Sequence, residues 1–178
     1  MGKTYEALQR AEVEYKDSYL SLRTAKYTKS PPPRQTNEER YKEQYEALKH
    51  SLLSSYPADQ VKSIAITGPE FGDGTSNTSV NLANAMAKEG WRSILLIDAD
   101  LRHPSIHEAF KVPLGNGLSD YLADESTPEP RLTTIKENFH LLTAGSLGSG
   151  SAGLLESARF DHLLQTMGAR FNHIIIDC

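Results

Sequence analysis

Residues Val61 to Phe110 constrain this chain more than any other stretch. They open with VKSIAIT, a short β-branched apolar run of the kind that forms a buried strand. GPEFGDGTS follows as a glycine-bearing loop, and NTSVNLANAMAKEG then keeps helical spacing as far as Gly90. A second strand, WRSILLI, ends at Asp98, and the chain continues DADLRHPSIHEAF. Strand, Gly-rich loop, helix and a strand ending in a carboxylate is the opening of a phosphate-binding α/β domain. The unpaired N–H groups and positive dipole end of such a helix point at the loop and stabilise an anion there. In the P-loop pattern G-x-x-x-x-G-K-[ST], Thr75 stands in the lysine position after Gly74. Ser76 keeps the hydroxyl that ligates Mg²⁺ in that pattern.

The charge balance removes one class of partner. Net charge is −4, with 10 basic and 9 acidic side chains in residues 1–60 and 9 and 14 in residues 61–178. No basic field is present to draw nucleic acid by counterion release. No apolar run approaches the roughly 18–20 residues that span a bilayer, and no signal-peptide core follows Met1. Cys178 is the single cysteine, so neither an internal disulfide nor a cysteine metal site is available. A cytoplasmic protein is the expectation.

Upstream of the loop, Tyr5, Leu8, Tyr15, Tyr19 and Leu22 lie at helix-compatible spacing, interrupted by Glu12. Thr28 to Gln35, with Pro31, Pro32 and Pro33, reads as a polyproline linker. Residues 1–35 are thus an arm and linker, and 36–178 the main domain. A helix is predicted at about 37–54, with Asn37 as N-cap and Tyr41, Tyr45, Leu48 and Leu52 as its inward stripe. Downstream come a turn at Leu114–Gly117, a short helix from Leu118, a proline-rich connection at Thr127–Pro130 and a strand in NFHLLTAG. Leu154 to Met167 is read as a helix with Leu155, His162 or Leu163, and Met167 inward. FNHIIIDC closes the chain as an apolar strand ending in Asp177. The expected fold is α/β, a mostly parallel sheet of at most about four strands flanked by helices. The last strand is expected to leave an exposed edge that promotes self-association.

Asp177, at the end of an apolar strand, fits the Walker B position, where a carboxylate orients Mg²⁺ and its waters. Asp98 and Asp100 end another strand on the edge where ligands bind in open α/β folds. Two residues apart on an extended segment, they point the same way and suit one metal–phosphate centre. Capping of the next segment, or pairing with Arg102, is the alternative. His103 and His107 are four apart, but Pro104 interrupts and no third ligand is evident, so surface histidines are expected.

These residues match a known pattern. ILLIDADLRHPSIHEAF, TGPEFGDGTSNTSVNLA, GLSDYL, NFHLLTAG, LLES and HIIIDC occur in the order seen in bacterial tyrosine kinases of capsule and exopolysaccharide synthesis. From about Glu38 to Cys178 the chain resembles the cytoplasmic P-loop domain of that family. The resemblance implies a MinD-like P-loop fold, MgATP as cofactor, and autophosphorylation of a C-terminal tyrosine cluster. It also implies homo-oligomeric rings and activation by a membrane-embedded polysaccharide chain-length regulator, which would hold the domain at the inner face of the plasma membrane. By position Gly72, Asp73, Gly74, Thr75, Ser76 and Asn77 would wrap the phosphates. Ser76, Asp98 and Asp177 would hold Mg²⁺, and Asp98, Asp100 and Asp177 would assist the attacking hydroxyl.

The departures fall on functional positions. Besides Thr75, Phe71 replaces a usual proline, and Ser149–Gly153 replaces a Pro-Asn-Pro-x-Glu segment. The family's E-x-x-R-x-x-R oligomerisation helix reads Glu43-x-x-Glu46-x-x-Lys49, so Glu46 reverses the central charge. The expected consequence is an assembly other than the family's ring, with Glu46→Arg shifting it back. Relative to the family the domain reads as incomplete at its C-terminus, because the sequence ends after the third motif. Three readings stay open. The first is an ATP-dependent tyrosine kinase without the loop lysine; the second is a non-catalytic P-loop binding module, or pseudokinase, in polysaccharide assembly. The third is a MinD/ParA-type ATPase.

Overall fold

The computed structural model describes residues 37–56, 62–70, 72–90, 92–146 and 153–178. A body from Arg40 to Cys178 carries the sheet. The predicted N-terminal helix, the proline linker and Ser149–Ala152 lie outside the described residues.

Helix α1 (Asn37–Ser55) precedes β1 (Ser63–Ile66), α2 (Thr75–Ala87) and β2 (Ile94–Asp98). The chain continues through two short helices, α3 (Ile106–Phe110) and α4 (Leu118–Ala123), and the strands β3 (Thr133–Lys136) and β4 (Phe139–Leu142). A turn of 3₁₀ helix at 153–156 leads into α5 (Ala158–Arg170), and β5 (His173–Asp177) ends the chain. The sheet has five strands in the order β1-β5-β2-β4-β3. All pairings are parallel except β3 with β4.

This order corrects two expectations. The last strand is not an edge: it lies between β1 and β2, and each of its residues is buried. The edge falls instead on β1, whose Ser63 and Ala65 are exposed while Ile64 and Ile66 pack inward. A long crossover frees a parallel strand to insert anywhere in the sheet, so position in sequence does not fix position in space. The fifth strand is β3, which makes an irregular antiparallel pair with β4. Its sequence TTIK has too few apolar residues to announce a core strand.

Two apolar clusters account for the continuous hydrophobic runs. Leu95 and Ile97 of β2 and Ile174 and Ile176 of β5 face one side, against Leu118, Tyr121 and Leu122 of α4 and Leu163 and Met167 of α5. Ile94, Leu96 and Ile175 face the other, against Leu82 and Met86 of α2 and Ile106 of α3. With helices on both faces, alternation has no polar side to report. In α5 the inward residues are Leu163 and Met167, while His162 is exposed.

Helix α1 docks on the second cluster through Tyr45, Leu52 and Leu53, not through the whole predicted stripe. Tyr41 and Leu48 are exposed. The contact is keyed by a buried Lys49, whose ammonium meets Glu46 at 2.6 Å, Glu89 at 3.0 Å and the Ala85 carbonyl at 3.4 Å. Burial opposes that charge, yet the bonds to Glu46 and Glu89 raise its pKa. Glu46 also meets Lys88 at 3.1 Å, and its bond to Lys49 holds its own pKa down. Within the domain, then, Glu46 is the acceptor that joins two lysines. Its reversal of charge completes an internal network, a role that spacing alone could not reveal.

Glu46→Arg is therefore expected to loosen α1 instead of simply restoring an intermolecular contact. It would place three positive groups together and remove two ion pairs, of which the one to exposed Lys88 contributes at most about 1 kcal/mol and the one to buried Lys49 more. A lowered urea midpoint at constant slope should report the loss. An unchanged midpoint would show that Glu46 is not the acceptor on which this docking depends.

Candidate functional site

The loop after β1 makes its turn with two glycines in left-handed conformation, Gly72 (φ +94°) and Gly74 (φ +83°). Such a conformation costs an L-residue roughly 1–2 kcal/mol, and glycine avoids that cost. Gly74 is also the N-cap of α2, with no side-chain cap over the helix end. The first-turn N–H groups are thus left for water or an anion. Asp73 does not add to this opening. It folds back within the loop, its Oδ2 accepting the Glu70 N–H at 3.0 Å.

The loop forms one wall of a cleft of about 600 Å³. Gly72, Gly74, Thr75, Ser76 and Asn77 line it, facing Asp100, Arg102, His103, Pro104 and Ser105 on the other wall, with Cys178 between. Five of the six predicted loop residues are thus brought to one cleft, Asp73 being the exception.

The carboxylates divide. Asp98 and Asp177 are paired in register on adjacent strands β2 and β5, and both are almost wholly buried. Asp98 Oδ2 accepts the Ile106 N–H at 3.2 Å, and its Oδ1 has no partner. Asp177 Oδ1 accepts from the Ser79 hydroxyl at 2.8 Å, while its Oδ2 has no partner. Ser76 lies near enough to Asp177 to work against the rise in its pKa. Asp100 lies beyond the strand, where the Leu101 N–H meets the Ala99 carbonyl at 2.9 Å and closes a tight turn. Strand alternation stops there, so Asp100 reaches the cleft while Asp98 stays beneath it. Its Oδ1 accepts the N–H groups of Arg102 at 3.1 Å and His103 at 2.9 Å. Both aspartates thus cap backbone N–H groups of the segment that follows, and Asp100 also lines the cleft.

Electrostatically the three still form one site. Burial pushes Asp98 up to about 7, with the charges of Asp177 and Asp100 adding to it. Burial also raises Asp177, helped by Asp100. Two adjacent buried carboxylates with an orphaned oxygen each, and a serine hydroxyl beside them, form an all-oxygen donor set that suits Mg²⁺. Among the described residues no group of three or more His, Cys, Asp or Glu side chains could hold a metal alone. Mg²⁺ typically takes one or two carboxylates plus substrate phosphates, so the site fits that mode. His103 lines the cleft while His107 lies half-buried in α3, and they form no such group.

Sequence reasoning missed Ser79. It sits three residues after Ser76 on α2, and that spacing puts both hydroxyls on the face turned to β5. A polar residue inside an apolar helix face was the available signal.

A parallel sheet with a glycine loop leading into α2, and acidic strand ends beside it, defines a P-loop α/β protein of the MinD-like class. The MinD protein of Pyrococcus horikoshii, solved with Mg-ADP, shares this fold at a TM-score of 0.56 and 24% identity, over 67% of this chain and 49% of its own. No protein-family model matches the chain. The tyrosine-protein kinase YwqD of Bacillus subtilis is 34% identical over 136 residues, which is 76% of this chain and 57% of YwqD. The kinase domain of the Escherichia coli tyrosine kinase ETK superposes with a TM-score of 0.67 and 29% identity, over 75% of this chain and 52% of its own. Over about three quarters of its length the chain is thus similar to bacterial tyrosine kinases in both sequence and fold. It spans less than two thirds of the length of the curated relatives it matches. Among the described residues no helix is long and apolar enough to cross a membrane.

The raised Asp98 pKa has a measurable consequence. The folded protein holds this proton more tightly than the unfolded chain does, so unfolding releases it between the ordinary carboxylate range and about pH 7. The stability linked to Asp98 is full at acidic pH and is lost as pH rises through about 7. The ceiling on that loss is about 4 kcal/mol. Chemical unfolding between pH 5 and 8 without Mg²⁺ should show the decline, and Asp98→Asn should flatten it. An equal slope in the variant would assign the effect elsewhere.

Proposed function

We propose that the cleft binds MgATP and that the chain is the nucleotide-binding part of a protein-tyrosine kinase acting in capsule or exopolysaccharide synthesis. The uncapped N-terminus of α2 behind left-handed Gly74, with Ser76 beside Asp177, is the observation that carries this reading. Similarity to bacterial tyrosine kinases supports the reaction class.

The backbone donors of Gly72, Gly74, Thr75, Ser76 and Asn77 receive the phosphate oxygens, an interaction that does not depend on side chain 75. Ser76, Asp98 and Asp177 hold Mg²⁺, which would neutralise phosphate charge. That neutralisation is required here: three carboxylates beside a polyphosphate repel it, and Thr75 brings no counter-charge. Asp98, pushed up to about 7 in the metal-free site, would be held ionised by a bound Mg²⁺. With Asp100 and Asp177 it would orient the tyrosine hydroxyl that attacks the terminal phosphate. Transfer of that phosphate to a tyrosine, in this chain or another copy, is the proposed reaction. By its family the chain would work in an oligomer with a membrane-embedded chain-length regulator at the inner face of the membrane.

Thr75 favours a second reading, a non-catalytic module that binds nucleotide without turning it over. Titration calorimetry with MgATP separates either reading from loss of the site. The unmodified chain should bind weakly and only with Mg²⁺, and Ser76→Ala should remove the Mg²⁺ dependence. Thr75→Lys should tighten MgATP by about 10- to 150-fold, the value of a charged hydrogen bond. Should that variant fold yet gain nothing, the loop is not a phosphate site. Tyrosine phosphorylation after incubation with labelled ATP would then distinguish kinase from module.

A further inference from the structure

Thr75 leaves the loop wall without a positive charge, and the cleft offers one from elsewhere. Among the described residues the cationic or ionisable basic side chains lining it are Arg102 and His103, both on the wall opposite the loop. The nearby lysines are placed otherwise. Lys88 is tied to Glu46 at 3.1 Å, and neither it nor Lys62 lines the cleft.

Arg102 differs from its surroundings in one respect. It shares the cleft with the acidic side chains of Glu70 and Asp100, yet its exposed guanidinium makes no ion pair or hydrogen bond among the described residues. Its backbone, in contrast, is fixed. Asp100 Oδ1 accepts the N–H groups of both Arg102 and His103, at 3.1 and 2.9 Å, and so sets the turn from which the side chain projects. His103 has interactions of its own. A held backbone carrying an unpartnered guanidinium on the wall of a nucleotide-sized cleft is a pre-organised anion contact. Arginine suits the task, because its planar fork meets two phosphate oxygens at once.

Resting on the nucleotide reading above, we propose that Arg102 is the cofactor-binding cation of this cleft. It contacts the phosphate that projects across from the loop and supplies the charge that residue 75 does not. Binding then bridges both walls: backbone N–H groups hold the phosphate from the α2 side, and the guanidinium holds it from the Asp100 turn. Asp100 acts through Arg102 as a positioning residue as well as through its own charge.

The test uses the full chain, MgATP and titration calorimetry, with thermal melting to show that each variant is folded. Arg102→Ala should weaken MgATP by about 10- to 150-fold, on the same charged-bond scale. Arg102→Lys should keep more affinity than Arg102→Ala, because it retains the charge and loses only the fork. Thr75→Lys placed in the Arg102→Ala background should recover affinity by returning a cation from the other wall. If Arg102→Ala binds as tightly as the unmodified chain, the assignment is wrong while the nucleotide reading stands. If the unmodified chain binds no MgATP at any Mg²⁺ concentration, the nucleotide reading fails and the assignment falls with it.

Discussion

The insertion of β5 between β1 and β2 is the constraint on which the rest of the site depends. It brings Asp177 into register with Asp98, so that two carboxylates end side by side on the carboxyl edge of a parallel sheet. It also places Asp177 under α2, where the Ser79 hydroxyl bonds it and Ser76 lies near. Open parallel sheets collect their ligands at this edge, because the strands deliver side chains there and the following helices present their N-termini. Without the crossover that carries β5 inward, Asp177 would sit at a rim, exposed and far from the loop.

Burial then gives the carboxylates their character. A surface aspartate is ordinarily ionised at neutral pH, whereas Asp98 is pushed up to about 7 by desolvation and by adjacent negative charge. The orphaned oxygens on Asp98 and Asp177 mark the same tension. Buried acceptors without donors are costly, and they are tolerated where a cation or a proton is meant to complete them. Stability and site chemistry are therefore set by the same pair of residues.

The charges of α1 show how a substitution pattern changes meaning in three dimensions. In one dimension, Glu46 and Lys49 are a departure from an oligomerisation motif. In the fold they are partners, with Lys88 and Glu89 of the α2 segment completing the set. A buried ammonium held by two carboxylates and a carbonyl fixes the helix in one seating, because displacement would leave a charge without its bonds.

The sequence by itself determined the local elements and the chemistry at hand. The apolar runs of β2 and β5, the glycine turn and the helical spacing of α2 are short-range patterns, and each lies within two or three residues of its predicted place. The loop residues of the cleft and the acidic strand ends were legible for the same reason. What only the tertiary structure decided was the order of the strands and the neighbours of each charge. Thr133–Lys136 became a strand only because β4 offered an edge to pair with, and β1 became that sheet's other edge. Asp98 and Asp100, alike in sequence, parted because the chain leaves the strand between them. Arg102, Glu46 and Ser79 acquired their roles from partners, or from the lack of them, supplied in most cases by distant segments. Periodicity reports which face a residue occupies, and long-range pairing alone reports what that face meets.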